Sequence, residues 1–233
     1  MENHIMEYFQ KRYQQQLIPP VRTKAPGPVL TISRECGCEG TALARQLALR
    51  LNEYYLPIGC KSSWEVISKK ILEAAAQELK TQSENIKFIF DSEQRTMWED
   101  FMQSVTSKEY HSEWKIKNAI KNVIRDFATE GYSIILGRGG AQITRDIEKA
   151  LHVKLVAPVQ WRAERFMEKH DLSKAVALAR IKEIDNNRDK LIKMLYAGCS
   201  QELCYDITYN VEKFSTGQLV LDIIHLMQQK KLI

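Results

Sequence analysis

The sequence predicts an α/β protein in which helices cover both faces of a parallel β-sheet. Short apolar runs alternate with longer segments of helical periodicity, which is the pattern of parallel strands joined by helical crossovers. The first run leads into a loop with two glycines and then into an amphipathic helix. These observations predict four strands, near Leu30, Ile134, Val153 and Ile207.

The composition is that of an ordinary globular chain. Its 233 residues are 44% hydrophobic and 27% charged, which is sufficient for one substantial core. The net charge of +5 suits an anionic ligand, but the basic residues are dispersed, so nucleic acid is not an expected partner. No apolar run reaches the ~20 residues of a membrane span. The N-terminus has no signal-peptide core, and we therefore expect a cytoplasmic protein without a membrane partner.

The first 27 residues are predicted to form an arm outside the main domain. Residues 2–16 have a polar helical pattern with Tyr8, Phe9 and Tyr13 on one side, and four prolines make residues 19–28 a linker. The aromatic side is expected to dock on the domain or on a second subunit, which would give a homodimer. We divide the chain into this arm, residues 1–27, and one domain, residues 28–233.

The stretch from Val29 to Leu51 predicts a strand, a glycine loop and a helix, in the order of a phosphate-binding loop. The first turn of a helix leaves amides without intrahelical partners and adds the positive end of a dipole, so an anion is the natural ligand. The usual signature G-x-x-x-x-G-K-[ST] is not matched, because Gly40 stands where lysine is expected, although Thr41 offers a hydroxyl. Two glycines also occur in βα turns that bind nothing, so the loop alone leaves both interpretations open.

Cysteine usage argues against a secreted disulfide framework, since five is an odd number. Cys36 and Cys38 lie in the glycine loop, where small filling side chains are the plainest interpretation. The helix N-terminus beside them can also lower a thiol pKa, which would make one of them reactive. No metal site is predicted, because the cysteines and histidines form no ligand clusters.

Apolar positions three or four residues apart predict the other helices. One helix is expected to start at Ser62 or Ser63 with Glu65 in its first turn, and residues 81–108 are expected to form helices that cover a cleft. A long helix is expected over residues 112–130. Core-facing positions are expected to be Leu43, Leu47 and Leu51 in the first helix, and Leu219, Ile223, Leu226 and Met227 in the last, capped by Ser215 or Thr216.

Arg138 is the strongest single candidate for a site residue. It follows the apolar run YSIILG, a pattern typical of a buried parallel strand, and ligands of open α/β sheets bind at the carboxyl ends of such strands. The structural alternative is an arginine that caps a neighbouring helix C-terminus.

Two further pairs of charged residues lie three positions apart on predicted helices and are therefore neighbours on one face. Arg162 and Arg165 form the first pair, and Asp185 and Arg188 form the second. The structural alternatives are a basic helix face paired with nearby glutamates and an ordinary surface ion pair.

Four motifs, in order along the chain, resemble those of the cytidylate kinase-like family, a branch of the P-loop nucleoside monophosphate kinases. The resemblance spans Val29 to about Met227 and is more specific in its order than in any single motif. The motifs are TISRE with a following glycine at Thr31 to Gly37, ILGRGG at Ile135 to Gly140, VAPVQWRAERFMEK at Val156 to Lys169, and DNNR at Asp185 to Arg188.

This resemblance implies a P-loop NTPase three-layer fold with a mobile helical lid over roughly residues 158–190. It also implies a nucleotide-binding phosphotransferase that uses ATP and Mg²⁺ and a nucleoside monophosphate acceptor, with CMP or dCMP favoured. The loop would bind the ATP phosphates, Arg138 with Asp185 and Arg188 would hold the acceptor, and Arg162 and Arg165 would close over both. The implied loop residues are Ser33, Arg34, Glu35, Gly37, Gly40 and Thr41.

Two departures from the expected loop chemistry leave a second function open. Gly40 removes the phosphate-binding lysine, and Glu39 places a carboxylate where the family usually has a small residue. The alternative is a catalytically weak or inactive nucleotide-binding regulatory protein that retains the kinase fold.

Deleting residues 1–27 tests the arm as a subunit contact. If its aromatic side joins two copies, the full chain has twice the mass of a monomer in light scattering and the truncated chain has the mass of one. If the two forms contain the same number of subunits, the arm is not the subunit contact.

Overall fold

A computed structural model describes residues 27–55, 63–78, 113–195 and 204–233. The arm up to residue 26 and the helices expected over residues 81–108 lie outside these residues. The described elements in chain order are β1 Val29–Arg34, α1 Gly40–Tyr55, β2 Glu65–Ile67, α2 Lys69–Glu78, α3 Glu113–Glu130, β3 Ser133–Leu136, α4 Gly140–Ile143, β4 Ala150–Val156, α5 Val159–His170, α6 Lys174–Leu195, β5 Ile207–Asn210 and α7 Thr216–Gln229.

The described strands form one five-stranded parallel sheet in the order β2-β3-β1-β4-β5. The central strand β1 pairs on both sides, so that Val29 lies opposite Ser133 of β3 and Ala150 of β4. All carboxyl ends therefore meet at one edge, and the loop after β1 lies between the ends of its two neighbours. The predicted α/β fold with a parallel sheet is confirmed.

Strand β2 corrects the sequence prediction, which placed Glu65 in the first turn of a helix. Residues Glu65–Ile67 instead pair in parallel with β3, and the helix begins at Lys69. The backbone of Trp64 is held by both ends of the Asn52 amide, at 2.7 Å and 3.0 Å, which directs the chain into the sheet. Tertiary pairing has therefore outweighed a local helix-start signal.

Two apolar layers enclose the sheet, one on each face. The α1 face contains the leucines predicted to face inward, Leu43, Leu47 and Leu51, all of which are buried. Helix α7 packs on the same face, where Leu226 is only partly buried, and Ser215 forms a capping box with Gln218. The opposite layer contains the buried side of α3. No helix of the described residues has the length and apolar character required to cross a membrane.

His152 is buried in β4 beside the central strand. Its Nδ1 lies 2.9 Å from the Thr31 hydroxyl, and its backbone amide donates to the Asp206 carboxylate at 2.7 Å. Burial lowers the pKa of His152 below its usual 6.5; Lys230 acts in the same direction, and Asp206 opposes both. Folding therefore favours the neutral form of the His152 side chain.

Acidification is expected to destabilise the fold through His152. Because the folded-state pKa lies below the unfolded value of about 6.5, the unfolded state binds more protons as the pH falls, and stability is lost below that value. Urea unfolding at pH 7.5 and pH 5.5 measures this loss. His152→Gln should be less stable at pH 7.5 and less sensitive to pH; an equal pH dependence in both proteins would contradict the assignment.

Candidate functional site

The glycine loop, residues 35–39, connects β1 to α1 at the carboxyl edge of the sheet. The Glu35 amide donates to Leu155 O at 3.1 Å, which fixes the loop to β4. Gly37 has φ +90°, and a Cβ there would lie 3.0 Å from the backbone oxygen of Arg162, so only glycine fits beneath α5. Thr41 is exposed in the first turn of α1. The Ala42 and Leu43 amides of that turn donate to the Glu39 carbonyl at 2.9 Å and 3.3 Å, so an anion at the loop would accept from the Gly40 and Thr41 amides.

Asp185 of α6 joins helices α5 and α6 to the glycine loop. One carboxylate oxygen accepts the Cys36 amide at 2.7 Å, and the other accepts Arg162 Nη1 at 2.6 Å. Arg188 lies farther from this carboxylate, at 3.5 Å, and donates to the Arg34 carbonyl at 3.0 Å. Asp185 and Arg188 therefore face the loop and do not form an isolated surface pair.

Arg162 does not face either of the cavities described below, contrary to the expectation that it closes over phosphates. Its side chain is buried, with the residue only 7% exposed. Besides Asp185, it donates to the carbonyls of Ala157 and Cys36, each at 3.0 Å. The close packing of α5 against Gly37 directs this arginine into the protein, where it holds the loop in place.

Arg165, three residues further along α5, lines a groove, whereas Arg162 is buried. Its guanidinium lies 4.6 Å from the Trp161 ring centroid and 3.7 Å from the Glu39 carboxylate. It lines a groove of about 480 Å³ between the loop, α5 and the segment that enters α7. We call this the α5–α7 groove; its lining includes Cys38, Glu39, Trp161, Arg165, Phe214 and Thr216.

The loop cysteines are not activated thiols, so the expectation of a reactive cysteine is wrong. Burial raises the pKa of Cys38 to about 12 and also raises the pKa of Cys36. Cys36 packs against Ala163 and Ile181, which places it in a small apolar cluster beneath the loop. Desolvation outweighs the effect of the helix N-terminus, and both side chains fill space.

A second cavity, of about 180 Å³, opens where the ends of β1 and β3 meet α6. We call it the arginine cavity. Four cationic side chains and the carboxylates of Glu35, Asp185 and Asp189 line it, and Arg162 partly neutralises the first two of these carboxylates. This edge of an open parallel sheet is the usual position of a ligand. The cations are Arg34, Arg138, Lys154 and Arg188.

Arg138 enters the arginine cavity from a left-handed turn. Gly137, Arg138 and Gly139 have φ values of +73°, +58° and +70°, and the Gly137 amide donates to Ile32 O at 2.9 Å. Glycine adopts such angles freely, whereas a non-glycine residue held there stores roughly 1–3 kcal/mol of strain. Strain at a charged residue that lines a cavity is typical of a functional position.

Crowding of positive charge is visible at Arg34. Burial, together with repulsion from Arg188 and Arg138, lowers the pKa of Arg34 from 12.5 to about 9. Since a guanidinium stays protonated at neutral pH, this shift marks an electrostatic penalty that an anion in the cavity would relieve.

Sequence reasoning missed three polar side chains that line the cavity, Lys154, Asp189 and Tyr205. Lys154 Nζ lies 5.3 Å from the Tyr205 ring centroid, and the buried Gln142 amide donates to the Tyr205 hydroxyl at 3.1 Å. Lys154 could have been found, because it interrupts the apolar run LHVKLV of a central strand. Tyr205 carries no comparable signal.

Three known proteins are similar to this chain in structure or in sequence. An uncharacterized protein from Eubacterium ventriosum ATCC 27560 is similar in structure, with a TM-score of 0.60 and 18% identity over 87% of this chain and 98% of that chain. Shikimate kinase from Bacteroides thetaiotaomicron gives a TM-score of 0.48 at 10% identity, over 86% and 98% of the two chains. Uronate isomerase from Corynebacterium glutamicum is 32% identical over 98 residues, which are 42% of this chain and only 19% of that protein.

The family assignment comes from the sequence of the domain itself. A match to the cytidylate kinase-like family covers residues 29–213, from the first residue of β1 to the segment that follows β5. The match includes the glycine loop, the turn after β3 and helices α5 and α6, which are the parts that build the candidate site. The parallel five-stranded sheet places the glycine loop and the turn after β3 at its carboxyl edge. The chain belongs to the cytidylate kinase-like family and has an α/β P-loop kinase fold.

Proposed function

We propose that this protein transfers the γ-phosphoryl group of ATP to a nucleoside monophosphate, with CMP or dCMP as the acceptor. The observation that carries the proposal is the convergence of Arg34, Arg138 and Arg188 on one cavity beside the glycine loop. Such a cluster suits the phosphate groups of two nucleotides brought together.

The donor side of the proposed site combines the glycine loop with the α5–α7 groove. The Gly37 and Glu39 amides of the loop and the Gly40 and Thr41 amides at the start of α1 would bind the ATP phosphates. The groove would take the adenosine, where Trp161 and Phe214 offer aromatic surface and Arg165 offers a cation near the phosphates.

The acceptor side is the arginine cavity. Arg138 would bind the acceptor phosphate from the β3 turn, and Arg188 would do so from α6. Asp185 contributes indirectly in this arrangement, because its carboxylate holds the loop and Arg162. It is a positioning residue.

Phosphoryl transfer requires alignment and charge neutralisation more than covalent chemistry by the protein. The arginines would stabilise charge on the moving phosphoryl group, and packing of α5 and α6 over the loop would limit access of water.

Mg²⁺ fits this site only weakly through protein ligands. The described residues contain no cluster of three acidic, histidine or cysteine side chains, and Thr41 offers an exposed hydroxyl. Bound mainly by nucleotide phosphates, it would neutralise their charge.

Replacing Arg138 with alanine tests the acceptor site. Alanine keeps the Cβ and hence the backbone strain, so the change removes the guanidinium and the two methylenes that carry it without altering the turn. We expect acceptor-dependent ADP release to fall roughly 100-fold or more. A coupled assay with ATP, Mg²⁺ and CMP, dCMP, UMP, AMP or GMP measures this, with a reaction lacking acceptor as the blank.

Arg50→Ala is the matched control, because Arg50 is an exposed arginine of α1 paired with Glu53. It should retain wild-type activity. Unchanged acceptor affinity in folded Arg138→Ala protein would rule out the role proposed for Arg138.

One observation favours the alternative of a nucleotide-binding regulatory protein. Glu39 has φ +47°, an angle suited to glycine, and its carboxylate borders the loop that would bind phosphates. ATP binding in isothermal titration without ADP production from any acceptor would support this alternative over phosphoryl transfer.

Substituting Glu39 measures how strongly its carboxylate opposes ATP. Glu39→Gln removes the charge, and Glu39→Gly also removes the strained Cβ. Both are expected to bind ATP several-fold more tightly, on the order of 1 kcal/mol, since like charges lie near each other in the complex. Only the glycine variant should also gain stability. Unaltered ATP affinity in both variants would show that the carboxylate does not face the nucleotide.

A further inference from the structure

The missing lysine at position 40 leaves space that another side chain occupies. A Cβ built on Gly40 would lie 3.2 Å from Cγ, 3.4 Å from Cβ and 3.5 Å from Cδ of Arg34. The aliphatic part of Arg34 therefore lies against the first residue of α1. A longer side chain at position 40 would have to displace it.

The guanidinium end of Arg34 reaches the opposite wall of the arginine cavity. A Cβ built on Gly137 would lie 1.9 Å from Arg34 Nη1, so a side chain at position 137 would displace the guanidinium, and the φ of +73° there also favours glycine. The side chain thus extends from the N-terminus of α1 to the β3 turn that carries Arg138. This path crosses the space between the proposed donor and acceptor phosphates.

Neighbouring charges indicate that this guanidinium is placed for an anion. Arg188 donates to the backbone carbonyl of Arg34, and both Arg188 and Arg138 repel its guanidinium. Clustered like charges are unfavourable unless an oppositely charged ligand lies among them. A phosphoryl group with three charged oxygens would satisfy all three arginines.

We propose that Arg34 supplies, from the end of β1, the phosphate-binding cation that a P-loop lysine supplies from position 40, and that it contacts the phosphoryl group being transferred. This inference rests on the proposed function. Arg34 and Gly40 act as a unit, since the absence of a side chain at position 40 makes room for the arginine.

The chemistry balances without a protein base. An ionised phosphate oxygen of the acceptor forms the new bond to the γ-phosphorus, and the bond between that phosphorus and the bridging β–γ oxygen breaks. Its electron pair leaves on ADP, and no proton has to be removed from the acceptor. Arg34 would offset the charge on the oxygens of the moving group through its fixed fork of donors.

Binding of inorganic tripolyphosphate and of MgATP to the full chain tests this role. Tripolyphosphate has no base or sugar, so its affinity reports the phosphate site alone. Arg34→Gln is expected to weaken both ligands by roughly 10- to 100-fold, which is the loss typical of a charge-assisted hydrogen bond. Arg34→Lys should retain part of the affinity. Arg50→Gln is the control and should match wild type.

A double variant that moves the positive charge from position 34 to position 40 makes the test specific. In the double variant Arg34→Ala with Gly40→Lys, the lysine has the space that Arg34 occupied, and tripolyphosphate affinity should recover relative to Arg34→Ala alone. Gly40→Lys alone should lower the affinity for tripolyphosphate, because its Cβ would crowd the aliphatic part of the Arg34 side chain and displace it. Thermal unfolding of each variant identifies a loss of the fold.

The outcomes separate this inference from the proposed function. If Arg34→Gln binds tripolyphosphate as tightly as wild type does, the inference is overturned. It is also overturned if Arg34→Gln loses only CMP binding, because Arg34 would then serve the acceptor alone. Failure of the double variant to recover affinity would also count against it. Binding that depends on Arg34 without turnover of any acceptor would support the inference and overturn phosphoryl transfer.

Discussion

The site depends on one carboxylate, that of Asp185, which lies within the 22-residue helix α6. It accepts a hydrogen bond from the loop amide of Cys36 and forms an ion pair with buried Arg162. The carboxylate therefore holds the loop, α5 and α6 together. A buried arginine without its partner is strongly destabilising, commonly by about 3–5 kcal/mol. The loop conformation, and with it the position of Arg34 beside the cavity, follows from this contact and from the second bond that Arg188 makes to the Arg34 carbonyl.

Much of the fold could be predicted because burial leaves a periodic pattern. The apolar strands and the leucine spacing of α1 are such patterns, and the structure places those side chains in the core. Strand β2 could not be predicted, since three residues are too short for a period and their conformation comes from pairing with β3. The arm and residues 81–108 lie outside the described residues, so their predictions stand as they were.

The site was partly predictable for a different reason. Motif order identified Arg138, Asp185 and Arg188, which the structure brings to one cavity. Spacing alone could not separate Arg162 from Arg165, because which side of α5 packs inward is decided by its contact with Gly37. Lys154 and Tyr205 come from different elements, and only the folded sheet brings them together.

The position of β1 at the centre of the sheet has a consequence during synthesis. Its partners β3 and β4 begin about a hundred residues later in the chain, a delay of roughly 5–20 s at ordinary rates of translation. Throughout that interval an apolar strand with both edges unpaired is exposed outside the ribosome, where strand edges promote aggregation. The nascent chain therefore carries β1 as an unpaired apolar segment until β3 and β4 have been synthesised.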